Sequence, residues 1–151
     1  MPAPVPVTPT SPHAIVIGSD QVADLDGLAL GKPGTHERAV EQLRLMRGRR
    51  VVFQTAVAVV QHDQRHAGQD LAAVAVTFRD LDDAEIEHYL RTETPYDCAG
   101  SARSESLGIA LLSAIESDDP TALVGLPLIR TCRLLREAGL DPLRADDGAA
   151  A

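Results

Sequence analysis

Residues 50–79 read "RVVFQTAVAVVQHDQRHAGQDLAAVAVTFR", two apolar runs about a polar middle, and this stretch decides the fold. Arg50 to Val60 is apolar and β-branched, a composition that suits a pleated, half-buried surface. Leu71 to Arg79 alternates, with Val74, Val76 and Phe78 on one side. Joined by the polar "QHDQRHAGQD", the two runs predict adjacent antiparallel strands.

Working outward, Ala14 to Gly18 reads as a short buried strand that stops near Asp20. Asp20 to Pro33 reads as loop and turn, with Asp26-Gly27 as the turn signal. Glu37 to Met46 carries Ala39, Val40, Leu43 and Met46 on one face, which predicts an amphipathic helix ending near Gly48. Downstream, "LDDAEIEHYLRTE" spaces Asp82 and Glu85 as a capping box and stacks Ile86, Tyr89 and Leu90, a second short helix. "PYDCAGSARSESLGIALLSAI" predicts a flexible loop followed by a strand or helix from Leu107 to Ile115. "GLPLIRTCRLLREAG" predicts a last helix, with Pro127 near its start, Leu128, Cys132 and Leu135 along one face, and Gly139 just past its end. No internal repeat is present. Periodicity alone therefore gives α/β or α+β.

The 151 residues suit one domain, able to bury roughly 70% of the surface that the unfolded chain exposes. Aromatics make up 3% and tryptophan is absent, so the core must be aliphatic. A net charge of -8 repels long polyanions and argues against a nucleic-acid polymer as partner. A small phosphate ligand needs only a few local cations or a bridging divalent metal. Cys98 and Cys132 form no CxxC pair, so neither a zinc knuckle nor a disulfide framework is indicated, and a reducing cytoplasm is the simplest compartment. No apolar run approaches the ~18 residues of a membrane span. The opening "MPAPVPVTPTSPH" has neither the basic start nor the apolar centre of a signal peptide and reads as a disordered Pro-rich tail. The expected organisation is a tail over 1–13, one domain over 14–143 and a second tail over 144–151.

Three polar clusters interrupt the apolar pattern. In Ser19-Asp20-Gln21, a carboxylate at a strand end can ligate Mg²⁺ or orient a water, and it can equally serve as a turn or cap. In Gly31-Lys32-Pro33, glycine permits close approach and proline stiffens the loop, so the ammonium is presented either to an anion or to solvent. No GxxxxGK[ST] loop accompanies it. In "CAGSARSESLG", residues 98–108, Arg103 can meet phosphate and Glu105 can accept from the ring N–H groups of a base; a mobile linker with a local ion pair is the plainer reading. His62 and His66 have i, i+4 spacing without a third ligand nearby and read as solvated surface. Ser101, Ser104 and Ser106 lack a GxSxG elbow, and Cys98 reads as a small packed residue.

Taken in order, "GSDQVADLDGLALGKPG", "AVEQLRLMRGRRVVFQTAVAV", "VTFRDLDDAEIEHYL", "PYDCAGSARSESLGI" and "DDPTALVGLPLIRTCRLL" resemble the Maf-like family of nucleotide pyrophosphatases, from about Ala14 to Leu143. The form "CAGSxxSExxGI", with Glu105 where the dTTP and UTP branch has glutamine, resembles the branch assigned to 7-methyl-GTP. The resemblance implies an α/β fold with a mixed sheet flanked by helices, and hydrolysis of a nucleoside triphosphate to the monophosphate and pyrophosphate. It implies a divalent cation, Mg²⁺ or Mn²⁺, and a homodimer. By the same resemblance Asp20 is the catalytic carboxylate, as proton acceptor or metal ligand, and Lys32 contacts phosphate. Gln21 and Glu105 match positions linked to choice of base. Arg103 stands where the branch usually has lysine, which keeps the charge but replaces a point donor by a planar fork.

Family members begin with a strand and an "SxxR" helix start ahead of the strand equivalent to Ala14–Gly18, whereas a Pro-rich stretch stands here, so the expectation is an N-terminally truncated form. Two functions follow as expectations: a pyrophosphatase preferring 7-methyl-GTP, or a catalytically weak nucleotide-binding or dimerisation remnant.

Overall fold

The computed structural model describes residues 14–62 and 66–144. The expected tail over 1–13 lies outside the described residues, as does that over 144–151 apart from Arg144, which ends a short helical turn over Pro142–Arg144. The central hairpin is β3 (Arg50–Gln61) and β4 (Ala67–Phe78), paired antiparallel in a register that sets Phe53 opposite Val74 and Val51 opposite Val76. The second strand begins at Ala67 rather than Leu71, because cross-strand pairing carries weakly patterned residues that composition alone assigns to the connection.

β1 (Ile15–Leu25) lies on the other side of β3 and runs through Asp20 instead of stopping there. Its later half keeps the two-residue alternation: Ala23 and Leu25 are buried, and the Asp24 carboxylate accepts from Gly27 N–H at 2.8 Å to shape the turn. β2 (Leu28–Leu30) folds back on Ala23–Leu25, so the expected loop over Asp20–Pro33 is mostly strand. β5 (Leu112–Glu116) completes the order β2-β1-β3-β4-β5. All four pairings are antiparallel where the resemblance implied a mixed sheet; the expected combination of sheet and helices is present.

The helices are α1 (His36–Met46), α2 (Asp83–Glu93) and α3 (Leu128–Glu137). The capping box of α2 forms as read, with Asp82 and Glu85 bonding reciprocally. α1 and α2 bury Ala39, Leu43, Met46, Ile86, Tyr89 and Leu90 against Val51, Phe53, Val74 and Val76. α3 seats Leu134 on Val57 and Val59 farther along the same face of β3. The residues that alternate with these, Val52, Gln54, Ala56 and Ala58, are only half-buried.

α3 is rotated from the expected stripe: Thr131 and Leu134 are buried, while Leu128 is 47% exposed. Thr131 enters the core because its hydroxyl donates to Pro127 O at 2.8 Å and leaves no unpaired donor.

Candidate active-site cleft

β1 between Ile15 and Val22 has β3 on one side, and β2 reaches only Ala23 to Leu25 on the other. A cleft of ≈ 230 Å³ opens beside that stretch. Ser19, Asp20 and Gln21 form its floor, Lys32 one wall, Asp97, Cys98, Ala99, Ala102 and Glu105 a second, and Leu123, Val124 and Gly125 a third. Asp20, Lys32 and Glu105, named from three separate motifs, thus face one space. Gln21 also reaches it, whereas Arg103 is not among the lining residues.

The Lys32 wall is built by punctuation. Pro33 is buried, Gly34 takes φ 75° and donates its N–H to Tyr96 O at 2.9 Å, and Lys32 itself is exposed. Among the described residues no carboxylate lies within ion-pair distance of its ammonium. The second wall turns on Gly100 at φ 62°, where an added Cβ would come within 3.0 Å of Ala23 Cβ and 3.1 Å of Phe53 Cζ. Glycine lets the loop lie directly on the sheet. The buried Tyr89 hydroxyl donates to Ser101 O at 2.6 Å and accepts from Arg103 N–H at 2.9 Å. Burial pushes the phenol's pKa up, so this brace stays neutral.

Two expected site residues are engaged by neighbouring groups in the structure. The Arg103 guanidinium pairs with Asp97 at 3.1 Å and approaches Glu93 at 4.0 Å. Gln21 turns its amide inward: Nε2 lies 2.8 Å from Ala122 O, 3.0 Å from Thr55 Oγ1 and 3.2 Å from Leu123 O. It braces the third wall as well as touching the cleft. That wall is also held by Asp119, fully buried, whose carboxylate accepts the Ile129 and Arg130 N–H groups at the start of α3 and the Thr121 hydroxyl.

Sequence reasoning missed Asp97, Cys98 and the 123–125 segment as lining. Cys98 was expected to be merely packed; it is half-buried at the cleft, and burial raises the pKa of its thiol, which disfavours a thiolate nucleophile. "DDPTALVG" carried a partial signal, a Pro beside an acidic pair at a turn.

No group of three or more His, Cys, Asp or Glu is gathered as a metal cage among the described residues. Asp20 offers hard carboxylate oxygens in a polar cleft, a donor set that fits a Mg²⁺-like ion sharing its shell with phosphate oxygens and water, and not an ion caged by protein alone.

The family model for Maf-like proteins matches residues 5–138. A 7-methyl-GTP pyrophosphatase of Polaromonas sp. is 72% identical over 137 residues, covering 91% of this chain and 62% of that protein. Proteins of the same name from Albidiferax ferrireducens and Burkholderia thailandensis are 67% and 59% identical, each covered to 67% of its length. The chain thus spans about two thirds of the curated relatives it matches, and with nearly all its described residues inside the family match, it belongs to the Maf-like protein family.

Proposed function

We propose that this cleft, in a single domain over 14–143, serves hydrolysis of 7-methyl-GTP to 7-methyl-GMP and pyrophosphate. The observation that carries the reading is the convergence of Asp20, Lys32 and Glu105 on one cleft, and the names of the relatives support the substrate. Asp20 orients a water toward the α-phosphorus and takes its proton as the new P–O bond forms and the bond to the leaving pyrophosphate breaks. Lys32, exposed at the rim, meets the phosphate oxygens. Glu105 accepts from ring N–H donors, and its charge favours the cationic N7-methylated base over guanine. Asp20 would also hold a divalent cation, Mg²⁺ or Mn²⁺, which supplies charge neutralisation on the phosphates when bound. Gln21, which also lines the cleft, and Arg103 brace the walls beside the substrate.

The net charge of -8 supports a small nucleotide over a polymer as partner. Among the described residues no helix is long and apolar enough to cross a membrane. A cytoplasmic setting is supported by cysteines without partners, and a homodimer by the family resemblance. The inward commitment of Gln21 and the pairing of Arg103 favour one second reading, a module that binds nucleotide without turning it over.

Pyrophosphate release from 7-methyl-GTP with Mg²⁺ or Mn²⁺ decides. Turnover by the wild type, reduced at least about a hundredfold in Asp20→Asn at unchanged thermal stability, supports the enzyme. Folded wild-type protein with calorimetric binding and no pyrophosphate supports the binding module, and neither binding nor release defeats both.

A further inference from the structure

The walls that carry Lys32 and Glu105 meet at a side chain outside the cleft lining. Gln42, half-buried on α1, donates from Nε2 to Gly31 O at 3.0 Å and accepts at Oε1 from the Ser101 hydroxyl at 2.7 Å. Gly31 immediately precedes Lys32, and its carbonyl also accepts the Gly100 N–H at 3.2 Å. Ser101 is fully buried at φ 59°, a left-handed conformation uncommon for serine, with its carbonyl held by Tyr89. A primary amide suits this position because it donates to a carbonyl and accepts from a hydroxyl at once. Its orientation is fixed as well, since the Gly31 carbonyl can only accept and so requires the nitrogen. A glutamate here would keep the Ser101 bond and lose the Gly31 bond; a leucine would lose both.

We propose that Gln42 is a positioning residue, clamping the Lys32 loop to the 98–105 loop so that the ammonium and the Glu105 carboxylate face one nucleotide. The proposal rests on the nucleotide reading above and deepens it, by naming what sets the spacing between the phosphate-binding and base-binding ends.

Two measurements on the full chain test it. Without ligand, amide exchange at Gly100 is expected to rise about thirtyfold in Gln42→Leu, the effect of losing two ordinary hydrogen bonds. With Mg²⁺ and inorganic tripolyphosphate as the probe, calorimetry is expected to show about tenfold weaker binding in Gln42→Leu. It is expected to show no further loss when Gln42→Leu is added to Lys32→Ala, because Gln42 acts through Lys32. If the leucine variant fails to fold, Gln42→Glu and Ser101→Ala, each removing one arm of the clamp, carry the same comparison. Unchanged Gly100 exchange, or wild-type binding with additive Gln42 and Lys32 losses, overturns the positioning role alone. A wild type that binds no tripolyphosphate overturns the nucleotide reading, and this role with it.

Discussion

Replacing Gln21 by leucine separates a bracing side chain from one that reads the base. Gln21 Nε2 carries two protons and faces three acceptors, Ala122 O at 2.8 Å, Thr55 Oγ1 at 3.0 Å and Leu123 O at 3.2 Å, so at most two full bonds form while the third is shared. Thr55 donates independently to Ala122 O at 3.0 Å, so that carbonyl keeps a partner after substitution. Leu123 O is the acceptor that loses its one side-chain donor. Two bonds of ordinary net strength, about 1 kcal/mol each, set the expected loss at about 2 kcal/mol. For a chain of this size that is a fall of roughly 4–8 °C in Tm. Urea denaturation of Gln21→Leu and Thr55→Val, singly and together, provides the assay. The double variant is expected to lose less than the sum, because either substitution alone already removes the bond between Gln21 Nε2 and Thr55 Oγ1. A Gln21→Leu loss below about 0.5 kcal/mol, the range of an ordinary surface substitution, would refute the bracing role and return Gln21 to the base.

The wall that carries Glu105 offers two further tests. At Gly108 an added Cβ would sit 2.3 Å from Arg103 O, a backbone atom, so Gly108→Ala is expected to cost roughly 3 kcal/mol by forcing the loop open; a change under about 0.5 kcal/mol in urea denaturation would refute that packing. Glu93 accepts from the Ser106 hydroxyl and from Leu107 N–H at 2.6 Å, and these bonds, the serine's first, hold its carboxyl below the usual range. A lowered folded-state pKa stabilises the fold above the unfolded value of about 4.3 and loses that contribution as pH falls through the folded value. The Tm gap between wild type and Glu93→Gln should therefore be widest near neutrality and close on acidification below about pH 4, and a gap independent of pH refutes the linkage.

The strands were most legible where apolar alternation is long and uninterrupted, as in β3 and the later part of β4. The full length of β1 is less legible because Asp20, Gln21 and Asp24 break its apolar composition, although Ala23 and Leu25 keep its period. The face of α3 was displaced because Thr131 is polar by type yet satisfied by Pro127 O, so packing could bury it in place of Leu128. At the site, charged residues in distinctive neighbourhoods were legible: Asp20, Lys32 and Glu105 come from segments 12 to 85 residues apart and share one cleft. The partners of Gln21 were not, since its acceptors at Ala122 and Leu123 lie 101 and 102 residues away and are backbone atoms that no side-chain pattern announces. The partners of Arg103 are not legible either, for a related reason. Its charge is legible, but the choice between a ligand and the carboxylates of Asp97 and Glu93 is made by tertiary geometry.

That choice shapes what the cleft can hold. With Arg103 engaged by its neighbours, Lys32 is the cation among the described lining residues, set against the carboxylates of Asp20, Asp97 and Glu105. A bare triphosphate would meet net repulsion there, so on the proposed reading its charge must be offset by cations that arrive with it. One is the divalent ion on the phosphates, for which Asp20 supplies a hard oxygen. The other is the N7-methylated ring, whose fixed positive charge ordinary guanine lacks. Two unit charges about 4 Å apart attract by about 1 kcal/mol in water and about 4 kcal/mol at the effective dielectric near a protein surface. Glu105 is exposed, which places its effect toward the lower figure. Even that lower figure is about a fivefold preference for the methylated base. An acidic cleft in an acidic chain is thus consistent with a polyphosphate site, provided the phosphates arrive with their divalent ion, and the methylated ring then adds preference at the other end.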